Sequence, residues 1–116
     1  MNSHELLREE IKNKAVVHGN TVYLAGQVAD AAKGQSVAAQ TKDILAQIDA
    51  LLAQAGSEKT KLLSVNIWLA DISTFSEMNS VWDTWIVAGS TPARATVEAK
   101  LAAPEYTVEI AAIAAR

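Results

Sequence analysis

Residues 36–55, SVAAQTKDILAQIDALLAQA, carry one apolar stripe. Val37, Thr41, Ile44, Leu45, Ile48, Leu51, Leu52 and Ala55 recur at the 3.6-residue period of an α-helix, whereas Gln40, Asp43, Gln47 and Gln54 face away. Ser36 can cap its start, and Gly56 can take the left-handed stop. A helix that is apolar on one side must lay that side against another layer. The segments on both sides of it in the chain are β-rich, so the layer expected is a sheet.

The strand signals are distributed accordingly. AVVHGNTVYLAGQV (15–28) reads as a hairpin about Gly19-Asn20, a pair suited to a tight two-residue turn. Gly26 interrupts its second strand, which marks a bulge or a close approach of a ligand or another backbone. In KLLSVNIWLA (61–70), Leu63, Val65, Ile67 and Leu69 alternate with Ser64, Asn66, Trp68 and Ala70, as in a half-buried strand. A second helix is expected from near Ser73, with Phe75, Met78, Trp82, Trp85 and Ile86 on one stripe and Gly89 near its end. Strands over 94–101 and 106–114 close the chain, joined by a short connection containing Pro104. The predicted order is ββαβαββ, an α+β domain over residues 15–116 with helices on one face of the sheet, preceded by a polar segment, 1–14. Trp68 and Ile113 sit out of phase with the main apolar rows of their strands, so both sheet faces are expected to be covered, the second by subunit association.

Composition narrows the function classes. In 116 residues, 50% are hydrophobic but only 5% aromatic, with alanine carrying much of the apolar fraction; a core shared between subunits would help such a chain. A net charge of −3 without a run of Lys and Arg argues against phosphate-backbone recognition, so no nucleic-acid partner is expected. The absence of cysteine excludes disulfides, thiolate metal sites and a Cys nucleophile. MNSHELLREE lacks the apolar run of a signal peptide, and no segment approaches membrane-spanning length; a cytoplasmic protein with no membrane association is expected.

Catalytic motifs with fixed spacing are missing: there is no GxGxxG, P-loop, HExxH or GxSxG. His4 and His18 lie in the polar N-terminal segment and at a hairpin turn, where they read as solvated residues; no metal site is expected. Glu5, Glu9, Glu10, Asp43 and Asp49 read as solvated helix or surface charge, and Asp71 and Glu77 as negative charge at a helix start. Arg94 and Glu109 differ, because each interrupts a β-rich run. A strand-borne Arg presents a planar fork that grips a carboxylate bidentately; the plainer alternative is a buried or interfacial ion pair of Arg94 with Glu98 or Glu109. Trp82 and Trp85 read as core, and Asn79 as a polar residue at the edge of the helix stripe.

VYLAGQV (22–28), AAQTKDILAQIDALLAQAGS (38–57), VNIWLADISTFSEMNSVW (65–82), PARATVEA (92–99) and VEIAAIA (108–114) occur in the order found in the RidA/YjgF family of enamine/imine deaminases, and over residues 15–115 the chain resembles that family. P-A-R-x-x-V-E followed by a V-E-I strand is the most specific element. The resemblance implies a chorismate-mutase-like α+β subunit with a mixed sheet, a homotrimer with a cleft at each interface, and hydrolysis of reactive 2-imino acids to 2-keto acids and ammonia with no cofactor. It assigns Arg94 to the substrate carboxylate, Glu109 to the attacking water, and Gly26, Ala25, Thr96 and Asn79 to the pocket. Thr96 stands where many members carry cysteine. Ala25 replaces the serine of the family's S-G-Q, no residue matches its pocket tyrosine, and Ala111 replaces a frequent second acid. These departures keep a second expectation open, a non-catalytic trimer that binds 2-keto acids or similar carboxylates. A third, the RNA-cleaving, translation-inhibiting or chaperone-like activity associated with the family, is disfavoured in its RNA form by the acidic charge balance.

Overall fold

The computed structural model describes residues 14–116. The N-terminal segment assigned to 1–14, with His4, Glu5, Glu9 and Glu10, lies outside the described residues except for Lys14. Five strands and two α-helices follow: β1 (Ala15–His18), β2 (Thr21–Val28), α1 (Val37–Gln54), β3 (Leu62–Leu69), α2 (Phe75–Trp85), β4 (Ala93–Glu98) and β5 (Val108–Ala115). The element order is the expected ββαβαββ. The sheet order is β1-β2-β5-β3-β4, antiparallel throughout except for the parallel pair β3 and β4. Among the described residues, no helix is long and apolar enough to cross a membrane.

Local chemistry sets the boundaries. Gly19 takes φ +58° in the two-residue turn between His18 and Thr21. Ser36 Oγ accepts from Ala39 N at 3.1 Å to start α1, and Gly56 at φ +78° ends it. The second helix begins two residues later than expected, because Asp71 caps a short 3-10 turn, Ile72–Thr74, by accepting from Ser73 N at 2.9 Å. It ends at Trp85, so Gly89 lies beyond it.

Both helices lie on one face of the sheet. Their stripes (Ile44, Leu45, Ile48 and Leu52 from α1; Met78, Val81 and Trp82 from α2) bury against Val22, Leu24, Val65, Ile67, Leu69, Val108, Ile110, Ala112 and Ala114. The remaining face carries half-buried Trp68 and Ile113 with exposed Val16, Tyr23 and Val97. Three expectations are corrected. Leu63 is 51% exposed and Leu62 takes its place in the core, because a register shift between Leu62 and Ser64 reverses the alternation there. Gln40, expected to face away, is fully buried. Its Nε2 donates to Gln35 O and Glu105 O at 3.0 and 2.8 Å, and its Oε1 accepts from Thr107 N at 2.9 Å, which ties the β4–β5 connection to α1. Phe75, placed on the buried stripe, is 37% exposed.

Candidate functional site

Strand parity decides where each candidate points. Arg94 is paired with Val65 and Thr96 with Ile67, so both side chains leave β4 on the helix-covered face. There the guanidinium meets α2. Nη1 donates to Asn79 Oδ1 at 2.8 Å, and Cζ lies 5.0 Å from the Trp82 ring centroid and 5.6 Å from that of Phe75. Within one chain, the ion pairs considered from sequence do not form. Glu98 Oε1 accepts instead from Ile72 N at 3.0 Å, and Glu109 is on the other side of the sheet. Arg94 is thus a half-buried cation whose hydrogen bond, among the described residues, goes to a neutral amide.

Glu109 on β5 is paired with Trp68 and Val28, on the face without helices. Its carboxylate rests over the β2 bulge. Between Leu24 and Gln27 the ladder to β5 slips, and a Cβ at position 26 would lie 2.9 Å from Glu109 Cδ and closer still to Oε2. Glycine at 26 is therefore what admits the carboxylate, since any side chain would displace it. Ala25 beside it is exposed and contributes a methyl where a serine would offer a hydroxyl; its carbonyl accepts from Gln27 Nε2 at 2.9 Å.

The six candidates fall into two groups. Arg94, Asn79 and Thr96 lie on the helix side, with Glu109, Gly26 and Ala25 on the opposite side. β4 and β5 are separated by β3, so their backbones are about 10 Å apart. With side chains on opposite faces as well, one chain does not bring Arg94 and Glu109 together. Thr96 Oγ1 is buried and, among the described residues, without a hydrogen-bond partner. A cavity of about 570 Å³ among Glu98, Lys100, Leu101, Pro104 and Tyr106 includes neither Arg94 nor Glu109. The ring partners of Arg94 were missed in the sequence, where Phe75 and Trp82 read as core. Their spacing with Asn79, at i, i+4 and i+7 on one helix, was the available signal.

Residues 10–116 match the sequence model of the family described as endoribonuclease L-PSP. A RutC family protein of Haemophilus influenzae is 47% identical over 98 residues, covering 84% of both chains. The crystal structure of a YjgF family member from Neisseria meningitidis superposes with a TM-score of 0.85 at 47% identity, covering 89% of this chain and 85% of that one. A protein of Rattus norvegicus named 2-iminobutanoate/2-iminopropanoate deaminase is 32% identical over 107 residues, covering 88% of this chain and 77% of its own.

Proposed function

The chain belongs to the RidA/YjgF family, and from that premise we propose that it hydrolyses small 2-imino acids to 2-keto acids and ammonia, at a site completed by a second copy of itself. The observation that carries the proposal is the state of Arg94. A half-buried guanidinium bonded to a neutral amide and flanked by aromatic rings is suited to an anionic ligand, and a planar carboxylate matches its fork. The name of the rat relative supplies the substrate class.

The chemistry asks little of the protein. Water adds to the carbon of the protonated imine, with Glu109 accepting one of its protons, to give a neutral carbinolamine. Glu109 returns that proton to nitrogen and takes up the hydroxyl proton as the C–N bond breaks, so that ammonia leaves and the carbonyl forms. Arg94 holds the substrate carboxylate throughout and fixes the imine carbon relative to the water. Because the two residues occupy opposite faces of one sheet, the working pair is Arg94 of one protomer with Glu109 of its neighbour. The apolar face bearing Trp68, Ile113, Tyr23 and Val97 is the surface we assign to the contact, in the closed homotrimer that family resemblance implies.

Ala25 favours one alternative. Without the serine hydroxyl, the site could hold a 2-keto acid without turning over an imine. Keto-acid binding and imine hydrolysis measured on the same variants separate the two. Arg94→Ala should lose about 2–5 kcal/mol of carboxylate binding, and Arg94→Lys should recover little of it. Glu109→Gln should keep binding and lose about 10²–10⁴-fold in turnover. Parental binding by Arg94→Ala would remove the anchor. Binding without hydrolysis in the parent would leave a carboxylate-binding protein.

A further inference from the structure

The structure assigns a positioning role to Phe75: with Trp82 and Asn79 it forms a cradle on α2 that orients the Arg94 guanidinium and leaves one of its edges for a carboxylate. This rests on Arg94 being the substrate anchor. The three residues lie at i, i+4 and i+7 of one helix and therefore share a stripe. Two rings lie within 5.6 Å of Cζ, as cation–π contact requires. Asn79 takes one Nη1 hydrogen, and its own Nδ2 donates to Asp83 Oδ2 at 3.4 Å, which turns the amide oxygen toward the guanidinium. Among the described residues, the hydrogen bond of the guanidinium is confined to Nη1. The Nε–Nη2 edge, the other geometry in which a carboxylate binds bidentately, stays uncommitted.

Trp82 also serves the core, being 5% exposed and 5.5 Å from the Trp85 ring. Phe75 does not. With 37% of its surface exposed it adds little to the core, yet its ring reaches the cation. A ring beside the guanidinium keeps water from that side and restricts the long side chain before ligand arrives, so less freedom is lost on binding.

The test compares Phe75→Leu, Phe75→Tyr and Arg94→Ala with the parent, using 2-oxobutanoate binding by calorimetry and imine-hydrolysis kinetics. Phe75→Leu should weaken binding about 5- to 30-fold, the range that one ring–cation contact supplies. The loss should appear in KM rather than kcat, and Phe75→Tyr, which keeps the ring, should restore it. Parental affinity in Phe75→Leu while Arg94→Ala loses binding would overturn the cradle and leave the anchor standing. Parental affinity in Arg94→Ala would overturn both. A measurement on the unsubstituted protein guards against a variant that misfolds: the Arg94 Nε–Hε signal in NMR should be ring-current shifted and motionally restricted without ligand. A freely averaged signal would overturn the proposal.

Discussion

Thr96 leaves β4 on the same face as Arg94. Its Oγ1 is buried and, among the described residues, lacks a hydrogen-bond partner. Such a group costs about 1–3 kcal/mol relative to an apolar isostere. Thr96→Val should therefore raise the melting temperature and leave keto-acid affinity unchanged; a loss of affinity would return the hydroxyl to the ligand. Gly26 gives the opposite kind of test. A methyl there would meet the flexible end of Glu109, so the fold can adapt but the carboxylate cannot stay. Gly26→Ala should melt near the parent and lose about 10²-fold in hydrolysis, as expected for a misplaced catalytic group. Equal loss of stability and activity would mean that the glycine serves only the bulge. Arg94 and Glu109 were legible in sequence because a charge interrupts each β-rich run. Their opposite directions were not, since those follow from the parallel β3–β4 pairing and from strand order, which no local pattern encodes.

At the scale of elements, the two α-helices and five strands among the described residues were legible from periodicity, β-rich runs and turn residues, and the departures at Leu63 and Gln40 arose where an inserted residue or a non-local contact intervened. The shift at Leu63 reverses the face of one leucine, because side-chain direction alternates residue by residue. Gln40 violates the helix stripe because its amide satisfies three backbone groups, two of them in the distant segment that leads into β5. Neither leaves a trace within its own segment. The start of α2 makes a prediction in pH. Ser73, through its hydroxyl first and its backbone N–H second, holds the Asp71 carboxyl below its ordinary value of 3.8. A depressed folded-state pKa stabilises the fold above the unfolded value and loses that contribution as pH falls through the folded one. The melting difference between the parent and Asp71→Asn should therefore be present above pH 3.8 and shrink as the solution is acidified further. A difference independent of pH would detach the cap from the charge.

At the scale of the whole molecule, one sheet carries candidate groups on both of its faces. The helix side offers an anchored guanidinium and the other side a carboxylate seated on a bulge, so one chain does not bring the proposed pair together. The proposed association along the apolar face that carries Trp68 and Ile113 would resolve this, and it would also cover a surface that an alanine-rich chain with few aromatics can ill leave in water. The most direct test is subunit complementation. Arg94→Ala and Glu109→Gln chains, each without appreciable hydrolysis in its own assembly, are dissociated, mixed in equal amounts and reassembled. Where an intact Arg94 meets an intact Glu109 across an interface, one complete site forms, and random mixing should restore about a quarter of the parental imine hydrolysis. A mixture no more active than its two components would contradict a site shared between subunits.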